Sequence, residues 1–161
     1  MKSNICIIGL ARDLTKQVAY QMSLQLDMFY ADVNDLLQFE LTNIDDVIAK
    51  CGTRYMEELE RKKVRNVATF DNTVFTMSFA TYQANAMDEK LRNHAITIFL
   101  DVPQQYYKIQ ENSSLYAINK LLNKDRRIIC EKNCDITVRC RKIELDHIVK
   151  QLCFAIMKNM R

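Results

Sequence analysis

Short, continuously apolar runs alternate along this chain with longer stretches in which apolar residues recur every three or four positions. Runs of strand length fall at residues 4–8, 28–32, 73–77, 95–100 and 135–138, and each is predicted to be a β-strand. Between them lie helical patterns. Residues 15–26 carry Val18, Ala19, Met22 and Leu26 on one face, and residues 145–160 carry Leu145, Ile148, Val149, Leu152, Cys153, Ile156 and Met157 likewise. Strands that are apolar throughout, separated by amphipathic helices, need helices above and below them; the order therefore predicts an α/β fold on a parallel sheet. Ligands of such sheets bind beyond the carboxyl ends of the strands, which directs attention to the residues after Ile8, Tyr30, Met77 and Leu100. The Met and aromatic stripes of the helices read as packing.

Composition narrows the picture. The 161 residues are 48% apolar and 27% charged, with only two glycines and one proline, which suits a single ordered domain spanning residues 1–161 without a linker. No apolar run approaches the roughly 18 residues that span a bilayer, and the start MKSNICIIGLARDL meets charge too early for a signal peptide. The expectation is a soluble, cytoplasmic protein with no membrane partner. Six cysteines without a secretion signal read as free thiols, and Cys134, Ile136, Val138 and Cys140 are expected to share one strand face. Cys130, Cys134, Cys140 and His147 match no common zinc spacing. A net charge of +3 is too small to argue for nucleic acid, and ERKKVR reads as the solvated face of a helix. RNA binding through Lys62, Lys63, Arg65 and Arg126 is the weakest of the functional readings.

The stretch IIGLARDLTKQVAYQ carries more chemistry. An apolar run, a glycine, a short polar loop and a helical pattern form the corner on which many proteins grip a phosphate. Further on stand LQLDMFYADVNDLL, a central strand VFTMS, the strand AITIFLDVP, and RRIICEKNCDITV with a closing helix. Taken in this order the chain resembles shikimate kinase over nearly its whole length. The resemblance implies a five-stranded parallel sheet of the P-loop, nucleoside-monophosphate-kinase-like type, with a substrate-binding region and a lid. It also implies transfer of the terminal phosphoryl group of ATP to a small cyclic alcohol, with magnesium. From Gly9 to Asp32 the match to the family's loop glycine and F-x-D-x-D motif needs no gap, and Arg126 and Asp135 match the arginine and aspartate of its R-x-P-L-Y-x-x-x-A-D segment.

The functional positions depart from that pattern. The family loop G-x-x-G-x-G-K-[ST] is here Gly9-Leu10-Ala11-Arg12-Asp13-Leu14-Thr15-Lys16, so Arg12 and Leu14 replace two glycines. Glycines let successive N–H groups curl around an anion. Thr15 takes the lysine position and Lys16 the hydroxyl position, which turns the cation about 100° around the helix. Asp13 adds a negative charge that Arg12 partly offsets. Asp32 keeps the aspartate associated with magnesium, but Asn34 replaces the one that contacts the alcohol, and an amide is no base. Glu57 falls on the arginine of the family's F-R-x-x-E stretch, while Ser78-Phe79-Ala80 replaces G-G-G after the central strand. The lid region, approximately residues 101–125, is shortened and offers only Lys108 as a cation, with Ser113 and Ser114 reading as a turn or helix cap.

Gly9, Asp32 and Arg126 survive, and each has a structural role available: a turn at a strand end, a helix cap, a surface ion pair. The combined losses suggest a degenerate shikimate-kinase-like protein, without ATP-dependent phosphoryl transfer, that binds an unknown small molecule or protein. The alternative is an active small-molecule kinase, using ATP and magnesium, in which Lys16 or Arg12 has taken over the phosphate.

Overall fold

The computed structural model describes residues 2–107 and 124–159. Five parallel strands form one sheet: β1 (Asn4–Gly9), β2 (Phe29–Asp32), β3 (Thr73–Thr76), β4 (Ala95–Asp101) and β5 (Ile136–Arg139), in the spatial order β2-β3-β1-β4-β5. The helices are α1 (Arg12–Gln25), α2 (Val33–Leu41), α3 (Ile44–Cys51), α4 (Thr53–Ala68), α5 (Phe79–Asn85), α6 (Glu89–His94), α7 (residues 124–133) and α8 (Leu145–Asn159). A short 3₁₀ turn, Gln104–Tyr106, follows β4. The α/β fold and its parallel sheet are as the alternation of patterns predicts.

Successive strand residues point to opposite faces, and each strand therefore feeds two cores. Ile5 and Ile7 of β1 join Val18, Ala19 and Met22 of α1 and Ile148, Val149, Leu152 and Ile156 of α8. Cys6 and Ile8 join Val33 and Leu37 of α2, Val64 and Val67 of α4, and Tyr82 of α5 on the other face. β1 lies at the centre of the sheet, and all six of its residues are buried. Its first residue is polar for a reason. The Asn4 amide donates to the carbonyls of Ala68 and Phe70 and accepts from the Thr73 N–H at 2.9 Å, locking the end of α4 and the start of β3 to β1.

Two sequence expectations need correction here. Cys134 does not share a strand face with Ile136, Val138 and Cys140, because β5 begins only at Ile136. Its thiol lies 3.3 Å from the Tyr82 hydroxyl, in the opposite core. The first helix begins at Arg12 rather than Thr15, absorbing residues expected to form a loop. All six cysteines are free thiols, with Cys51 exposed. Among the described residues no helix is long and apolar enough to cross a membrane. Lys108, Ser113 and Ser114, and most of the expected lid, lie outside the described residues.

Candidate functional site

The parallel strands end together at Gly9, Asp32, Thr76 and Asp101, and the following residues form the rim where a ligand of this architecture would sit. At the corner between β1 and α1, only Leu10 and Ala11 separate strand from helix. Arg12, Asp13 and Leu14 have no feature that opposes helix, and the chain winds at once: the Thr15 N–H donates to the Ala11 carbonyl at 2.9 Å. Thr15 turns back over β1 instead of outward. Its hydroxyl donates to the Ala11 carbonyl at 2.8 Å and is buried. A Cβ on Gly9 would stand 2.2 Å from that oxygen, so Gly9 is needed for close approach to Thr15. Leu14 is half-buried against the α1–α8 core.

Arg12 reaches across the sheet rim. Its guanidinium donates to Asp32 Oδ2 at 2.5 Å, to Asn34 Oδ1 at 3.5 Å and to Thr76 Oγ1 at 3.4 Å. The Asp32 side chain is 1% exposed, and a carboxylate so far from water requires a cation or several donors. It has both: the guanidinium on Oδ2, and on Oδ1 the N–H of Asp35 at 2.9 Å, which caps α2. Asn34 continues the network, accepting the Ser78 N–H at 2.8 Å and donating to Thr81 Oγ1 at 2.9 Å. Ser78 in turn caps α5 through the Thr81 N–H. Polar groups from β1–α1, β2–α2 and β3–α5 are thus bound to one another.

The other expected residues lie around this knot. Lys16 is ion-paired with Asp35 at 2.6 Å. Phe79 is half-buried, and the Arg126 guanidinium lies over its ring, 5.3 Å from the centroid. Ala80 is exposed on α5, and Glu57 is exposed on α4, outside the network. Tyr30, half-buried beside this site, has its phenol pushed up to about 12 by burial and by the neighbouring Asp32 and Asp35 charges.

Several participants carry no signal in the sequence reading. Thr76 and Thr81 enter only because folding brings them to Arg12 and Asn34, 64 and 47 residues away. Asp101 ends β4 buried, accepts from Arg127 at 2.8 Å and lies 3.4 Å from Arg139, which also pairs with Glu131 at 2.9 Å. An aspartate closing an apolar run at a strand's carboxyl end was the available clue. Asp135, the family-matched aspartate, accepts from the Thr97 N–H at 2.9 Å and pairs with Lys2, tying β5 to β4 at the far end of the sheet.

No protein-family model matches this chain, and no curated protein matches its sequence. Solved structures do. A shikimate kinase from Aquifex aeolicus superposes with a TM-score of 0.76 at 23% identity, over 98% of both chains. One from Acinetobacter baumannii, in complex with shikimate, gives 0.77 at 14% identity over 99% of this chain and 95% of that one. One from Bacteroides thetaiotaomicron gives 0.75 at 16% identity over 96% and 98%. The chain has the shikimate kinase fold.

Proposed function

We propose that this protein is a degenerate shikimate-kinase-like domain that has lost ATP-dependent phosphoryl transfer and acts by binding. The observation that carries the reading is the Arg12–Asp32 ion pair. The aspartate that the fold family associates with magnesium has one oxygen on a guanidinium and the other on a helix-capping N–H, so the chain itself supplies the charge a metal would bring. The residues present do not suit a magnesium nucleotide. α1 winds from Arg12, and its amides run along the helix axis instead of curling round a phosphate. Thr15, in the lysine position, is buried against Gly9, and Lys16 is held by Asp35. Phosphoryl transfer depends on charges organised around the moving group, and here those charges are spent on one another.

The bound species is a small molecule or a protein, taken up by a single domain. We place the protein in the cytoplasm, in keeping with its six free thiols. A coupled assay with ATP, magnesium and shikimate checks the loss of activity: turnover should stay at the background of the assay. A rate near 1 s⁻¹, the lower end of ordinary enzymes, would refute it.

One observation favours the second reading, an active kinase with a rebuilt loop. The first turn of α1 has no side-chain cap, and an uncapped helix start attracts anions. That reading requires Mg·ATP to raise the melting temperature and Lys16→Ala to abolish the rise.

A further inference from the structure

A groove of about 860 Å³ runs along the free side of β2, the edge strand of the sheet. Its walls are aromatic. Phe29 of β2 is 73% exposed, Phe39 of α2 86%, and Phe70, just past α4, 46%. Single exposed apolar residues are ordinary, but three phenylalanines around one groove form a patch of the kind that marks an interface.

The strand beneath is unpaired on that side. Phe29 donates its N–H to Asn72 at 2.8 Å, toward β3, and strand alternation then turns the N–H and C=O of Tyr30 outward. An outward residue of this kind is self-complementary. If a second strand lies antiparallel to the first about a two-fold axis at Tyr30, the two tyrosines exchange both backbone hydrogen bonds.

The two ends of the groove are complementary too. Phe70 and Asp71 lie at the end where β2 begins, while Leu36, Phe39 and the Lys16–Asp35 pair lie at the end where it finishes. Antiparallel pairing brings opposite ends together. Phe39 then meets Phe70 of the partner subunit, and Lys16 meets Asp71 of the partner subunit. No ion pair within the chain engages the Asp71 carboxylate among the described residues, whereas the Asp35 carboxylate already has its lysine.

We propose that the occupant of this groove is a second copy of the chain, joined through β2 into a continuous ten-stranded sheet. The inference does not rest on the nucleotide reading: Asp32 lines the groove, but the strand pairing is made by the Tyr30 backbone and needs neither the presence nor the loss of phosphoryl transfer. A dimer could stand while the protein proved an active kinase, and the reverse.

The test uses the full chain. Sedimentation equilibrium at about 10 µM should show a dimer, a concentration suited to an interface of modest size. Phe39→Lys, at a side chain too exposed to affect folding, should weaken association at least about tenfold, and Asp71→Lys should weaken it by placing like charges together. Hydrogen exchange should show the Tyr30 amide slowing as concentration rises. Three results would overturn the proposal: a monomer up to roughly 100 µM, a dimer unaffected by both substitutions, or a Tyr30 amide whose exchange ignores concentration.

Discussion

At Gly9 the constraint is contact, not backbone angle. Its φ is not among the positive ones, yet a Cβ there would collide with the Thr15 hydroxyl at 2.2 Å. Gly9→Ala should therefore destabilise the protein by about 1–3 kcal/mol, the usual range for forcing a carbon into a packed site. Removing the hydroxyl as well, in Gly9→Ala with Thr15→Ala, should cost less than the two single losses added together. Denaturant melts of the three variants measure that coupling. Arg12 offers a second residue-scale test. Arg12→Ala leaves the Asp32 carboxylate buried without its cation, and breaking a fully buried pair costs about 3–5 kcal/mol. The Arg12 side chain is 28% exposed, so we expect about 2 kcal/mol, read from the shift in urea midpoint.

At the scale of elements, polar side chains fasten the joints. Asn4 satisfies two carbonyls and one N–H at the meeting of β1, α4 and β3, and Asn4→Ala strands all three, the Ala68 carbonyl and the Thr73 N–H in buried surroundings. The expected loss is about 2 kcal/mol or more, by chemical denaturation. Asp88 caps α6 through the N–H groups of Lys90 and Leu91 and pairs with Arg65 at 2.7 Å. Burial works to raise its pKa, but the Arg65 hydrogen bond and the two N–H groups outweigh it and hold the carboxyl below its ordinary value. The stabilisation is then present above the unfolded pKa near 4 and is lost as pH falls through the lower folded value. Wild type should outlast Asp88→Asn at neutral pH, and the gap between their melting temperatures should close on acidification below about pH 4.

The strands were legible because buried parallel strands read as unbroken apolar runs. α3 was less so, having no buried residue, and α4 presents mostly charge. The early start of α1 was masked by the loop pattern with which its residues align. Arg12 shows the limit for the site: its substitution for a glycine was visible, but its partner Asp32, 20 residues away, was not. Only the sheet order, with β2 two places from β1, brings them together.

Over the whole molecule, burial decides which thiols react. Cys6 and Cys130 are fully buried, and their burial drives both pKa values far up. Cys134 is raised to about 11 chiefly by burial, and Cys140 to about 11 by burial and the Asp101 charge. Thiolates react and thiols do not, so a disulfide reagent on folded protein at pH 8 should modify the exposed Cys51 first, with the buried Cys6, Cys130 and Cys140 and the partly buried Cys134 following only on unfolding. The same molecule-wide view shows how, on the proposed reading, this fold would stand without phosphoryl-transfer chemistry. The two cores and the sheet need none of the rim charges, and the rim has turned those charges inward to join β1, β2 and β3. Isothermal titration calorimetry with Mg·ATP, taken to millimolar concentration, tests this most directly. The account predicts no saturable heat for wild type, because Arg12 already holds Asp32; a saturable isotherm with a Kd below about 1 mM, some 4 kcal/mol of binding, would contradict it.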